Sequence, residues 1–180
     1  MEHVFSVLCD ELLVDDHVVI RRGRPTKEFV KQYVLKYDND FYEPLSERVD
    51  IDAFAKKISS YETLFVLFCD KRPVGLIASY FYEPTTKMGF ITLVHIQNEY
   101  RGRHFAMSLL DAVKKYAESI GFKGIDLMVY QDNMSAFNLY SHNGFSVIEE
   151  ENGRCKMRWI NTKNDYEQSL RVGKQDNSCH

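Results

Sequence analysis

The sequence predicts a single α/β domain whose sheet contains antiparallel stretches. Length and composition support one domain, since 180 residues, 44% hydrophobic and 27% charged, bury roughly 70% of the unfolded surface without covalent staples. Four segments space their apolar residues as helices do, and seven short runs rich in β-branched and aromatic residues are mixed among them. No internal repeat or low-complexity tract interrupts the pattern.

Taken in order, residues 1–17 stay unassigned and count as an N-terminal extension. Val18–Arg21 predicts a strand, closed by Gly23 and Pro25. Thr26 to about Tyr37 predicts a helix, because Phe29, Tyr33 and Val34 fall on one stripe. Residues 38–50 form a loop rich in aromatic and charged groups, including Phe41, Tyr42, Pro44 and Arg48. Asp50 is placed to cap a second helix through about Ser59 that buries Ile51, Phe54, Ala55 and Ile58. Strands follow at Leu64–Cys69, Val74–Phe81 and Gly89–Ile96, with turns at 71–73 and 84–87. The clearest helix runs from Phe105 to Ile120, where Leu109, Val113, Tyr116 and Ile120 hold helical spacing and Gly121 stops it. Ile125–Tyr130 predicts a strand, and Met134–His142 a short helix with Gly144 beyond its end. Phe145–Ile148 and Arg154–Trp159 read as a hairpin around residues 150–153. Residues 161–180 are polar and read as a tail, which leaves 18–160 as the domain.

Charge and composition narrow the function. The 23 Lys and Arg against 26 Asp and Glu give a net charge of −3, opposite to the basic surplus of nucleic-acid and acidic-membrane binders. No apolar run approaches the roughly 18 residues of a membrane span. The first ten residues carry acidic groups where a signal peptide carries basic ones, so a cytoplasmic location is expected. Cys9, Cys69, Cys155 and Cys179 form no CxxC pair, and the six histidines form no pair at i+3 or i+4. Neither a disulfide framework nor a metal site is expected. Cys69, inside an apolar run, reads as a buried side chain.

Two segments carry chemistry. In the first, Ile91–Ile96 runs through a short loop into Arg101, Gly102, Arg103, His104, Phe105 and Ala106, which open the long helix. Free backbone N–H groups and the helix dipole at such a start suit a phosphate or pyrophosphate, although this turn matches neither the Walker nor the Rossmann pattern. In the second, Asn133 is placed to cap the short helix, and Ala136, Leu139 and Tyr140 share one of its faces. Read alone, Tyr140 is a core or helix-end aromatic.

Together the two segments resemble the GNAT superfamily of N-acetyltransferases, over roughly residues 18–160. The family's first motif, Q/R-x-x-G-x-G/A, is met in part, by Arg101 and Ala106, with His104 at the first glycine. Its second, N-x-x-A-x-x-L-Y-x-x-x-G-F, is met at every named position by Asn133, Ala136, Leu139, Tyr140, Gly144 and Phe145. The resemblance implies a mixed, mostly antiparallel sheet of about seven strands flanked by about four helices. It implies acetyl-CoA as acyl donor, and transfer by direct attack of an amine on the acetyl carbonyl. Val94 and Ile96 match the positions whose backbone pairs with the pantetheine arm, near a splay between neighbouring strands. The backbone from Gly102 to Met107 matches the pyrophosphate cradle, with Arg101 and Arg103 adding charge. Asn133 matches a cofactor contact, and Tyr140 the general acid beside the thioester sulfur. A phenol near pKa 10 and a thiol near 8.5 differ by roughly 2 kcal/mol against full transfer, so a tyrosine suits that role.

The chain departs from the family in two places. His104 replaces the first cradle glycine, where its side chain either obstructs the phosphate or turns outward; toleration with weakened cofactor binding is expected. Positions that carry a base in relatives hold Phe90, Thr92 and Met128 here. His95 and Asp126 are nearby alternatives, as is a chain of waters; His95 also reads simply as a hydrogen-bonded strand histidine. Without a strong base a lysine-type amine of pKa about 10.4 costs roughly 4.6 kcal/mol to deprotonate at pH 7, whereas an α-amine near 7.8 costs about 1. The expected acceptor is therefore a small amine: an amino sugar, an amino acid or a peptide N-terminus. Phe41 and Tyr42, with Tyr80 and Tyr82, are expected to flank its cleft. No nucleic-acid or membrane partner is expected, and a homodimer is compatible with the sequence. The rival function is an acyl-CoA-binding regulatory module with little or no turnover.

Overall fold

Alternation along the central strands decides which layer covers which face of the sheet. The structure, a computed structural model, describes residues 4–61 and 63–162. Its elements are β1 (Phe5–Asp15), β2 (Val18–Pro25), α1 (Lys27–Lys36), α2 (Ile51–Tyr61), β3 (Thr63–Cys69), β4 (Arg72–Tyr80), β5 (Met88–Ile96), α3 (Phe105–Ser119), β6 (Gly124–Tyr130), α4 (Met134–His142), β7 (Ser146–Glu151) and β8 (Arg154–Ile160). On β3, Phe65 and Leu67 join one core with Leu109, Leu110 and Val113 of α3. Leu64, Val66 and Phe68 join a second core with Val30 and Val34 of α1 and Ala55 and Ile58 of α2. A strand buried on both faces reads as a continuous apolar run, which is why 64–69 shows no polar alternation. Leu109, Leu110 and Val113 are fully buried, each contributing about 1.5–3 kcal/mol of apolar transfer.

The eight strands lie in the order β1-β2-β3-β4-β5-β6-β8-β7. Every pairing is antiparallel except β5 with β6, which is parallel. Residues 5–15, unassigned from the sequence, form β1 and pair with β2 from Phe5–Pro25 to Asp15–Val18. Past Phe5 its side chains are all exposed, so no alternation marks it as a strand. The polar tail expected at 161–180 lies outside the described residues apart from Asn161 and Thr162.

The feature that positions the site is the parting of β5 and β6. They pair only from Met88–Gly124 to Ile91–Leu127. Beyond this, β5 stays bonded to β4 as far as Ile96–Gly75, and β6 to β8 as far as Tyr130–Arg154. Thr92–Ile96 therefore presents an open backbone edge toward the gap.

Candidate active site

Helix capping separates α3 from the other three helices. Thr26 Oγ1 accepts from Phe29 N at 3.2 Å, Asp50 Oδ1 from Ala53 N at 2.7 Å, and Asn133 Oδ1 from Ala136 N at 3.2 Å. The residue before α3, His104, makes no side-chain cap, and the first turn of α3 carries no acidic residue. Its leading N–H groups are thus left for an outside acceptor, at the positive end of a 15-residue helix. Gly102 (φ +76°) and His104 (φ +61°) both adopt left-handed backbone to turn the chain into that start. His104 is exposed and lines the mouth of the larger cavity, in a left-handed backbone conformation suited to glycine.

Two cavities flank the gap between β5 and β6. A larger one of about 500 Å³ is lined by the α3 start, including Gly102 and His104 to Met107, and by Val94, His95 and Ile96. A smaller one of about 230 Å³ is lined by Phe90, Thr92, Met128, Tyr130, Glu43, Arg48 and Arg154. Phe41, Tyr42, Val94, Asn133, Ala136 and Tyr140 line both. Tyr140 is 7% exposed, and its hydroxyl has no hydrogen-bond partner among the described residues. Burial raises its pKa above the ordinary phenol value, so the proton stays on oxygen until a negative charge develops beside it.

Most residues singled out from the sequence meet here, and some do not. Arg101 reaches inward, its Nε donating to Ile96 O at 3.1 Å and its Nη2 to Asp40 O at 2.9 Å. It latches the 38–42 loop onto the end of β5 while lining the larger cavity. Arg103 lies with its guanidinium 5.2 Å from the Tyr100 ring centre and does not line that cavity. Tyr80 stacks on Tyr82 and on Phe90, its cross-strand partner, and neither tyrosine lines either cavity. The reason is register: Tyr80 pairs with Phe90 within the closed part of the β5–β6 seam. Phe41 and Tyr42 do reach the gap.

The two candidate bases differ. Asp126 is held by Arg158, with contacts of 2.6 and 2.8 Å, and by Lys156 at 3.3 Å, and it lines neither cavity. His95 is 3% exposed and lines the larger cavity. Its Nδ1 meets Tyr33 Oη at 2.9 Å, while Nε2 has no hydrogen bond and stands 3.5 Å from Asp40 Oδ2. Desolvation lowers its pKa to about 4, and Arg101 adds to the effect against the opposing pull of Asp40. His95 is neutral at pH 7 and a weak base.

Sequence reading missed Asp40, Tyr130 and Arg154, whereas Glu43 belongs to the loop of Phe41 and Tyr42 expected beside the acceptor cleft. Tyr130 and Arg154 become neighbours only through the β6–β8 register.

The β5–β6 seam thus opens beside an uncapped helix start, with Tyr42 and Tyr140 lining the cavities on both sides of the gap. The model of the acetyltransferase (GNAT) family matches residues 29–145, and the chain belongs to that family. It is an acyltransferase by that membership. Solved structures share the fold at low identity. The PaiA N-acetyltransferase of Thermoplasma acidophilum, in complex with coenzyme A, is 16% identical with a TM-score of 0.60, over 79% of this chain and 99% of that one. A spermidine N-acetyltransferase SpeG chimera from Vibrio cholerae and hSSAT is 18% identical with a TM-score of 0.65, over 80% and 96%. An acetyltransferase of Salmonella typhimurium that modifies the N-terminal serine of a ribosomal protein is 17% identical with a TM-score of 0.63, over 84% and 99%. No curated protein matches the chain. Among the described residues no helix is long and apolar enough to cross a membrane.

Proposed function

We propose that this enzyme transfers the acetyl group of acetyl-CoA to a primary amine of a small molecule by direct attack. The observation that carries this function is that Tyr140 lines both cavities where β5 and β6 part. The larger cavity suits the donor. The unfilled N–H groups at the start of α3 suit its pyrophosphate, and the open edge of Thr92–Ile96 suits a pantetheine amide. The smaller cavity suits the acceptor.

Direct attack forms the C–N bond and breaks the C–S bond, and the electron pair leaves on sulfur. Tyr140 is the group suited to give that sulfur a proton. The amine arrives neutral or loses its proton to solvent, since Glu43, the one carboxylate lining the smaller cavity, is engaged by Tyr130 and Arg48. Phe90, Thr92 and Met128 accept none usefully, Asp126 is consumed by Arg158, and His95 is a weak base. An acceptor of low amine pKa fits this site better than a lysine side chain.

Thiol release from acetyl-CoA, followed across a panel of amines, tests the function. Release that depends on the amine, and is faster at pH 7 for low-pKa amines than for lysine peptides, is expected. Binding of acetyl-CoA with no amine-dependent release would instead identify a binding module.

A further inference from the structure

The smaller cavity has a charge pattern unlike that of the chain as a whole. The protein carries a net charge of −3, yet the charged side chains lining this cavity are Arg48, Arg154 and a single acid, Glu43. Glu43 is engaged: it accepts from the Tyr130 hydroxyl and lies 3.8 Å from Arg48. Arg154 is not neutralised. Its Nη2 donates to Tyr130 Oη at 2.6 Å and its guanidinium lies 4.6 Å from the Tyr130 ring centre. It has no carboxylate partner among the described residues. This is so although Glu151 is its direct partner across the β7–β8 ladder, where an opposite-charge pair is ordinarily favourable. Arg154 turns to the cavity instead, half-buried, with one of its five N–H groups used. The phenol of Tyr130 fixes this geometry by taking a proton contact from Arg154 and giving one to Glu43. A pre-oriented guanidinium with free donors, beside the tilted ring pair of Tyr42 and Tyr130, suits a planar or tetrahedral oxyanion.

Resting on the acetyl-transfer function proposed above, we propose that the acceptor amine bears an oxyanion, a carboxylate or a phosphate, which Arg154 holds with help from Arg48. The anion is gripped in the cavity that Tyr140 also lines, so one molecule spans from the guanidinium toward the reacting centre. Glu43 cannot replace this contact, since its charge repels such a group; its place is to hold Tyr130 and Arg48.

Matched acceptors that vary the anion test the proposal, with kcat/KM expressed per unprotonated amine because the anion also shifts the amine pKa. One set is a free amino acid, its carboxamide and the decarboxylated amine; the other is an amino sugar with and without a phosphate. The anionic member of at least one set is expected to show about 10–100-fold higher kcat/KM than its neutral partner, the range of one charge-assisted hydrogen bond. Whichever set shows it identifies the carboxylate or the phosphate. In Arg154→Gln that ratio should collapse by about 10-fold or more, and Arg154→Lys should recover part of it. Calorimetric titration of each acceptor into the CoA-bound protein separates the two claims. Selective binding of the anionic acceptor, lost in Arg154→Gln, upholds the anion site even where nothing is acetylated, and then acetyl transfer alone fails. Equal kcat/KM for anionic and neutral acceptors overturns the anion site and leaves acetyl transfer standing. A ratio unchanged in a folded Arg154→Gln variant also overturns it, as does the absence of both turnover and selective binding.

Discussion

Tyr33 and His95 share a buried hydrogen bond of 2.9 Å between the phenolic oxygen and Nδ1, beneath the loop that brings Asp40 to 3.5 Å from Nε2. Nε2 faces the Asp40 carboxylate without a hydrogen bond, so the contact with Tyr33 is the one hydrogen bond of the ring among the described residues. The pair anchors α1 to β5 at the edge of the larger cavity.

Burial makes this histidine a pH-dependent element of stability. Its pKa falls from 6.5 to about 4 on folding, so between those values the unfolded chain binds a proton that the folded chain does not. The stability held by neutral His95 is complete above about pH 6.5 and is lost as pH falls toward 4, by up to about 3 kcal/mol. Urea unfolding at pH 7 and pH 5 should show a smaller difference in His95→Gln than in the unaltered protein. For the same reason no acidic limb near pH 6.5 in the rate profile should trace to His95, and a limb there that vanishes in His95→Gln would contradict its depressed pKa.

His104 holds a left-handed backbone, φ +61°, with its ring exposed. That conformation costs an L-residue about 1–2 kcal/mol, part of which glycine gives back as unfolded-chain entropy. His104→Gly should therefore raise stability by roughly 0.5–1 kcal/mol, read as a higher urea midpoint at constant slope. It should also leave acetyl-CoA affinity equal or tighter, because a side chain that lines the donor cavity is removed from the path of the phosphates. A destabilised variant, or one that binds acetyl-CoA several-fold more weakly, would show that the imidazole has a role of its own.

Asn133 ties the helix of Tyr140 to the site, since its Oδ1 caps α4 and its side chain lines both cavities. Asn133→Ala should cost about 1 kcal/mol through the lost cap, whereas Asn133→Ser keeps a capping oxygen and should cost only a few tenths. Urea melts of the two variants would separate them; equal losses would mean that the cap contributes little here.

Legibility of these features in the sequence follows their physics. The four helices are marked by local signals, such as Asp50 and Asn133 at caps and the apolar stripe from Leu109 to Val113, and local signals survive in a linear text. Tyr140 and the α3 start are legible only through the family motif, because a buried aromatic at a helix end has no signature of its own. β1 escapes notice because an edge strand with both faces exposed shows no alternation. The acceptor side is the least legible part. Tyr130 and Arg154 are 24 residues apart, and only the pairing of β6 with β8 makes them neighbours. Tyr80 and Tyr82 read as cleft aromatics, yet Tyr80 stacks on its cross-strand partner Phe90 and Tyr82 stacks on Tyr80.

Tyr140 is proposed as the proton donor to the leaving sulfur, and Tyr140→Phe tests that role most directly. The substitution keeps the ring that packs against Phe145 and removes a hydroxyl that has no hydrogen-bond partner among the described residues. Stability should therefore change little. Single-turnover measurement of thiol release at saturating acetyl-CoA and amine, beside calorimetry of acetyl-CoA binding, gives the decisive comparison. The expected result is a rate lower by about 10²–10⁴-fold with affinity nearly unchanged, because the lost interaction belongs to the transition state. A Phe variant that binds acetyl-CoA normally and releases thiol at the parent rate would contradict the account and leave Tyr140 as a packing residue.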